Sequence, residues 1–376
     1  MRGLLGRLKT DRWAESEPEP GAEMLTVAGL GVEFRSGENR TQALRGVGLT
    51  LQAGKIHGVA GESGSGKTTT ALAAMGLLPH GARVEGSIRY RGTELVGLSE
   101  RQLRHHRGRD LAMIFQETAS ALNPVMRIGD QLMMAARAHT RGSAMQARER
   151  VRASLADVRL DDAERVMSSY PHELSGGMCQ RVIIAMALSC GSEVLFADEP
   201  TTALDVSVQD EILELIRGLV VKRHLAVMMI SHDLAVLAEV CDDLTVMYQG
   251  EVVETGPVEP LLRSPAHPYT RALLDCLPRL FGDQSELPEM RPARHGSDEN
   301  TGCRFQSRCE WATDACRQAP DLIAATAERE RLSRCWRSQE VLAAGPASLV
   351  DPKPGLAVGG HGREAALSSA SREAAE

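Results

Sequence analysis

The stretch Gly61-Glu-Ser-Gly-Ser-Gly-Lys-Thr68 constrains this chain more than any other. It fits G-x-x-x-x-G-K-[ST], in which backbone N–H groups wrap a phosphate, the Lys reaches the β/γ-phosphates and the Thr hydroxyl holds Mg²⁺. Upstream, Ile56-His-Gly-Val-Ala60 reads as a buried strand; downstream, Thr69 to Leu78 reads as a helix that Pro79 and Gly81 end. A glycine-rich turn with no ligand is the competing reading. The context opposes it, because a strand feeding such a turn and then a helix marks an α/β nucleotide fold, and the helix N-terminus adds a positive dipole end.

Two further segments carry chemistry. Val194-Leu-Phe-Ala-Asp-Glu199 is an apolar strand ending in two carboxylates, with Asp198 the candidate Mg²⁺ ligand and Glu199 the candidate acceptor of a proton from water. Leu174-Ser-Gly-Gly-Met178 precedes a helical run from about Cys179 to Cys190, so Ser175 can cap that helix while Gly176 and Gly177 allow close backbone approach to an anion.

Along the rest of the chain, Met24–Ala28, Gly31–Phe34 and Val47–Leu51 read as short strands. Residues 100–172, rich in Arg, Ala, Met and Leu, read as a mostly helical insertion. Val208 to Val221 follows as an amphipathic helix and Leu225 to Ile230 as a strand. From about Leu280 the composition turns to Pro, Glu, Asp and Arg with four closely placed cysteines, and residues 341–376 read as a disordered tail. Residues 1–22 read as a second tail, in which Leu4, Leu5, Leu8 and Trp13 among Arg2, Arg7, Lys9 and Arg12 also suit a membrane-skimming helix.

Lys and Arg number 43 against 50 Asp and Glu, a formal charge of −7, which lacks the basic footprint of a protein held on nucleic acid by phosphate contacts. No apolar run reaches the roughly 20 residues of a membrane span, and the N-terminus has too short an apolar stretch for a secretory signal, so a cytosolic chain is expected.

The loop, the Leu174–Met178 segment and the Asp-Glu strand together resemble the ATP-binding subunit of ABC transporters over roughly residues 24–280, as Walker A, signature and Walker B. Gln116, after the strand-like Leu111–Phe115, matches the Q-loop, Ala203-Leu-Asp205 the D-loop, and Ser231-His232 the switch histidine. The fold this implies is α/β: a P-loop NTPase core of ABC type spanning 23–280, with a helical subdomain at about 100–175 carrying the signature. A small cysteine-containing C-terminal extension would follow at 281–340.

The resemblance also implies roles. Gly61, Ser63, Gly64, Ser65, Gly66, Lys67, Thr68 and Thr69 would hold the ATP phosphates, and Phe34 would stack on adenine or serve as core. Thr68, Gln116 and Asp198 would organise Mg²⁺, His232 would contact the γ-phosphate and Glu199 would be the general base. Two such subunits would close face to face, with Ser175, Gly176 and Gly177 of each meeting the nucleotide of the other and Asp205 coupling the two sites. Cys179 stands where the family pattern has a basic residue.

Ser264-Pro-Ala-His-Pro-Tyr-Thr-Arg-Ala-Leu-Leu274, with Phe115-Gln-Glu-Thr and Leu122-Asn-Pro124, resembles the dipeptide/oligopeptide/nickel importer branch. That implies an ATPase peripheral to the cytoplasmic side of the cell (inner) membrane. Its partners would be a second ATP-binding subunit, commonly a paralogue, two integral membrane permeases and an extracytoplasmic solute-binding protein. Peptides are the expected cargo, with nickel or another small solute as the alternative.

Cys303, Cys309, Cys316 and Cys335, spaced C-x5-C-x6-C-x18-C, resemble the cysteine-containing extension of the branch's D-type subunits. The spacing lacks the paired C-x2-4-C of common zinc modules, while a four-thiolate set suits an iron–sulfur cluster. A [4Fe-4S] cluster stapling this polar segment is the expectation; zinc and reduced buried thiols are the alternatives. Cys179, Cys190, Cys241 and Cys276 read as small core residues. A soluble ABC ATPase acting on nucleic acid through a zinc module is the reading from another class, opposed by the net charge and the 264–274 segment.

Overall fold

The computed structural model describes residues 18–37, 39–116, 121–138, 143–202, 204–276, 302–327 and 330–345. The expectations for residues 1–17, with Leu4, Leu5, Leu8 and Trp13, for Ala203 and for the tail beyond residue 345 lie outside the described residues.

In chain order the strands are β1 (Glu23–Ser36), β2 (Asn39–Gln52), β3 (Lys55–Ala60), β4 (Arg83–Tyr90), β5 (Thr93–Glu94), β6 (Leu111–Ile114), β7 (Val194–Asp198), β8 (Ala226–Ile230), β9 (Asp243–Tyr248), β10 (Glu251–Pro257), β11 (Ile323–Ala324) and β12 (Leu332–Ser333). The helices are α1 (Lys67–Met75), α2 (Glu100–His106), α3 (Ile128–Ala138), α4 (Ala144–Asp157), α5 (Ala163–Ser168), α6 (Gly176–Leu188), α7 (Val206–Arg223), α8 (Leu234–Val240), α9 (Val258–Arg263), α10 (Pro268–Asp275) and α11 (Ser338–Ala343). None among the described residues is long and apolar enough to cross a membrane.

The chain divides into two units, one built from Met1–Leu30, Gly48–His57 and Thr68–Ile230, the other from Gly31–Val47, Gly58–Lys67 and Ser231–Glu376. In the first, β6, β7 and β8 form a parallel ladder with Leu111 opposite Val194 and Val194 opposite Ala226. Every residue of β7 and β8 is buried, which is why both read as unbroken apolar runs: a parallel strand covered on both faces has no solvent side to alternate with. The helical stretch read between 100 and 172 is interrupted by β6, a strand of this sheet.

Helices α3, α4, α5 and α6 of this unit pack on one another. Ser143 starts α4 with a capping box, its hydroxyl accepting from the Gln146 N–H (3.3 Å) and the Gln146 amide oxygen accepting from the Ser143 N–H (2.8 Å). Helix α6 buries Val182, Ile183, Ile184, Ala185 and Leu188, and truncating one such isoleucine to alanine costs about 2–5 kcal/mol.

In the second unit, β9 and β10 are antiparallel, with an irregularity between Val252 and Glu254. Strand β12 pairs with β10, Ser333 opposite Glu254, and β11 pairs with β12. The Glu254 side chain is fully buried; its carboxylate accepts from the backbone N–H groups of Ala266 (2.8 Å) and His267 (3.0 Å) and pairs with Arg331 Nη2 (2.8 Å). Tyr248, Tyr269 and Phe305 form an aromatic cluster with ring centroids 4.6 to 5.4 Å apart.

Element boundaries move by a few residues from the sequence reading. Strand β1 is continuous where two runs were read, with Gly29 at φ +61° inside it. Helix α1 starts at Lys67 and α6 at Gly176, each earlier than its apolar run suggested, because the polar Lys67 and Thr68 and the glycines Gly176 and Gly177 already lie in the first helical turn.

Candidate nucleotide-binding site

The loop 61–67 belongs to the second unit, and there its glycines are required by geometry. Gly61, Gly64 and Gly66 carry φ of +149°, +77° and +104°. A Cβ on Gly61 would lie 2.2 Å from the Met247 carbonyl oxygen, so no other residue fits. Lys67 is buried, and its ammonium donates to the carbonyls of Gly61 (2.8 Å) and Glu62 (2.9 Å). Among the described residues the buried Ser65 hydroxyl has no hydrogen-bond partner, whereas Ser63, Gly64 and Thr68 are exposed and Thr69 is half-buried. A buried cation, an unsatisfied hydroxyl and exposed loop backbone are the donors a polyphosphate needs, so these residues fit the nucleotide that the motif implies.

The carboxylate pair belongs to the first unit. Asp198 is the buried last residue of β7. Glu199 follows at φ +48°, a conformation costing a non-glycine residue about 1–3 kcal/mol unless its surroundings hold it. They do: its N–H donates to the Ile230 carbonyl (2.9 Å), and its Oε2 accepts from Gln116 Nε2 (2.9 Å) and Thr202 Oγ1 (2.9 Å). Two donors on one oxygen fix the orientation of the carboxylate, as a group that takes a proton from a positioned water requires. Gln116 is exposed just beyond β6. Thr202, three residues after Glu199, was missed by sequence reasoning.

Ser175 and Gly176 are exposed at the start of α6, and the Ser175 hydroxyl accepts from the Met178 N–H (3.3 Å), a helix cap. A Cβ on Gly177 would stand 2.7 Å from Val208 Cγ1, so this glycine is needed for the packing of α6 on α7. Asp205 caps α7, accepting from the Val208 N–H (3.0 Å) and the Ser207 hydroxyl (2.7 Å), bonds that hold its carboxyl below the usual carboxylate range. His232 is exposed beyond β8, and Phe34 is half-buried in β1. Cys179 is half-buried, its thiol donating to the Pro171 carbonyl (3.5 Å).

The iron–sulfur expectation is corrected by the structure. Cys303, Cys309, Cys316 and Cys335 are free thiols lining one small cavity with Phe305 and Trp311. Among the described residues no group of three or more His, Cys, Asp or Glu side chains is placed to hold a metal ion. Burial favours the neutral thiols, pushing Cys309 up to about 12, Cys335 up to about 11 and Cys303 in the same direction. The segment needs no metal staple either, since β12, the Arg331–Glu254 pair and Phe305 already anchor it. Cys241 is buried, and Cys190 and Cys276 are half-buried.

One cluster was not legible in the sequence. Arg308 pairs with both oxygens of Glu62, the second residue of the loop, at 2.9 and 3.0 Å, and the Glu62 N–H donates to the Tyr269 hydroxyl (2.9 Å).

Residues 44–202 match the ABC transporter family, and residues 253–316 match the oligopeptide/dipeptide transporter C-terminal region. Protein y4tR of Sinorhizobium fredii, named a probable peptide ABC transporter ATP-binding protein, is 44% identical over 87% of this chain and 98% of its own length. The oligopeptide transport ATP-binding protein OppD of Haemophilus influenzae is 42% identical over 84% of this chain and 98% of its own. Among solved structures, the ATP-binding cassette MJ0796, a dimer in a post-hydrolysis state bound to ADP and Pi, aligns with a TM-score of 0.55 at 26% identity, covering 63% of this chain and 99% of that one. The chain therefore belongs to the ABC transporter ATP-binding proteins of the oligopeptide/dipeptide type.

Proposed function

We propose that this chain is the ATP-hydrolysing subunit that powers import of di- and oligopeptides across the cytoplasmic membrane. The observation that carries this is one chain holding both the phosphate loop of an ABC ATPase and the C-terminal region of oligopeptide/dipeptide transporters. No feature favours nickel as cargo or a zinc-dependent nucleic-acid role.

In this reading, 23–280 is the nucleotide-binding domain, with 100–175 its helical part. The backbone of 61–69 and Lys67 hold the phosphates, and Phe34 lies against the adenine. Thr68, Gln116 and Asp198 would hold Mg²⁺, which would supply charge neutralisation at the phosphates. Glu199, oriented by Gln116 and Thr202, takes the proton from the attacking water, and His232 contacts the γ-phosphate. Ser175, Gly176 and Gly177 are offered in trans to the nucleotide of a second ATP-binding subunit, a paralogue, and Asp205 couples the two sites. Catalysis is then positioning plus charge stabilisation. The subunit works at the inner face of the membrane with two permeases and a solute-binding protein.

The test compares Lys67→Ala with Glu199→Gln in the assembled transporter. Lys67→Ala loses nucleotide binding; Glu199→Gln keeps it and loses at least a hundredfold in turnover, with uptake of a labelled dipeptide lost in both. Normal turnover in Glu199→Gln refutes the general-base role, and intact dipeptide uptake in Lys67→Ala refutes the transport reading.

A further inference from the structure

The pair between Glu62 and Arg308 joins residues 246 positions apart, one in the phosphate loop and one between Cys303 and Cys309. Its two ends differ in freedom. The Arg308 side chain is 7% exposed, over the rings of Tyr248 (5.8 Å) and Phe305 (5.9 Å), with Nη1 3.4 Å from the Tyr248 hydroxyl; Glu62 is 38% exposed. The buried, stacked guanidinium is thus the fixed end, and its planar fork takes both carboxylate oxygens. Glu62 is also placed through its backbone, since its N–H is held by Tyr269 and its carbonyl accepts from the Lys67 ammonium.

A carboxylate in a loop built to hold a triphosphate is a liability. Left unpaired, Glu62 repels the incoming charge and competes for Lys67; paired, it is electrically silent. We propose that Arg308 is a positioning residue for nucleotide binding, holding and neutralising Glu62 so that the phosphate loop presents net positive charge to ATP. This rests on the reading of 61–68 as the phosphate site. It makes the C-terminal region a determinant of ATP affinity, acting through charge. A partly screened unit charge carried by the phosphate loop is worth about a fivefold change in affinity at low salt.

The experiment measures binding of a fluorescent ATP analogue with Mg²⁺ to the full chain, at low salt and at 0.5 M salt. Arg308→Met raises Kd about fivefold at low salt and less than twofold at high salt, while Arg308→Lys, which keeps the charge, stays within about twofold of the parent. Glu62→Gln does not weaken binding, and Glu62→Gln combined with Arg308→Met returns Kd to within about twofold. The inference is overturned if Arg308→Met binds as the parent does, if its loss persists undiminished at high salt, or if the double variant is as weak as Arg308→Met. Should Arg308→Met not fold, Glu62→Gln and Arg308→Lys still decide, since weakened binding in Glu62→Gln, or a loss beyond about twofold in the charge-keeping Arg308→Lys, means that the pair is a structural tie. Lys67→Ala serves as the control: unchanged binding there refutes the phosphate-site reading itself, a result separate from any Arg308 outcome.

Discussion

Replacing Arg331 with methionine isolates what holds residues 330–345 in place. The guanidinium donates to Glu254 (2.8 Å), to the Pro260 carbonyl (3.0 Å) and to the Ser264 carbonyl (2.6 Å), at 5% exposure for Arg331 and none for Glu254. Methionine retains most of the volume and removes the cation, leaving a buried carboxylate with two backbone donors. Removing one partner of such a buried pair costs about 3–5 kcal/mol. At roughly 1.4 kcal/mol per factor of ten, hydrogen exchange on the full chain should show protection at the Arg334 amide, which bonds the Val253 carbonyl at 2.8 Å, falling by two orders of magnitude or more. The loss depends on pH. Burial already raises the pKa of Glu254, while its Ala266 hydrogen bond and Arg331 oppose the rise, so deleting Arg331 lifts it further. A folded-state pKa above the unfolded value of about 4.3 means that the native state binds the extra proton, so stability is present at low pH and lost as pH rises through the folded value. The variant should therefore lie closer to the parent at pH 5 than at pH 8, and Glu254→Gln added to Arg331→Met should recover most of the deficit. Protection within threefold of the parent at both pH values, or a deficit that grows on acidification, would refute the reasoning.

Two other outcomes follow from local geometry. Thr202→Val removes one of the two donors to Glu199 Oε2 and should lower kcat about tenfold with KM for ATP within twofold, measured by steady-state phosphate release; a change confined to KM would show that Thr202 acts on binding instead. His267 is buried with its pKa pushed down to about 3 by desolvation, and its Nδ1 accepts from the Tyr269 N–H (3.0 Å). Because the unfolded chain protonates it near 6.5, this contribution is present above that pH and lost as pH falls towards 3; His267→Asn, which caps the helix equally well, should flatten the acid limb of urea stability between pH 7 and 5, and an unchanged slope would rule His267 out as its cause.

What the sequence made legible was local. The phosphate loop, the apolar strand ending in Asp198 and Glu199, and the cap at Ser175 are all written in contiguous residues whose types have a single physical use. Partners far apart in the chain were not: nothing marks Arg308 for Glu62, or Arg331 for Glu254. The sequence also gave no sign that Gly177 makes room for Val208, 31 residues further on, where a Cβ would stand 2.7 Å from Val208 Cγ1. The cysteine argument failed for a related reason. The low apolar content of 300–336 suggested a segment unable to hold itself, but Arg331 and Arg334 find acceptors on β10, and Phe305 enters an aromatic cluster. Composition registers such side chains only as solvated charge.

The pairing of β12 on β10 changes where this protein can be cut. A chain ended anywhere in 277–301 keeps every nucleotide motif, so the motifs taken alone would allow such a boundary for expression. It would also strip β12 from β10 and leave the backbone at Val253, Glu254 and Thr255 without that partner, next to Val252 and Val253, both buried in the intact fold. Exposed apolar strand edges recruit strands from other chains, so the trimmed protein inherits a tendency to self-associate that the full sequence is built to suppress.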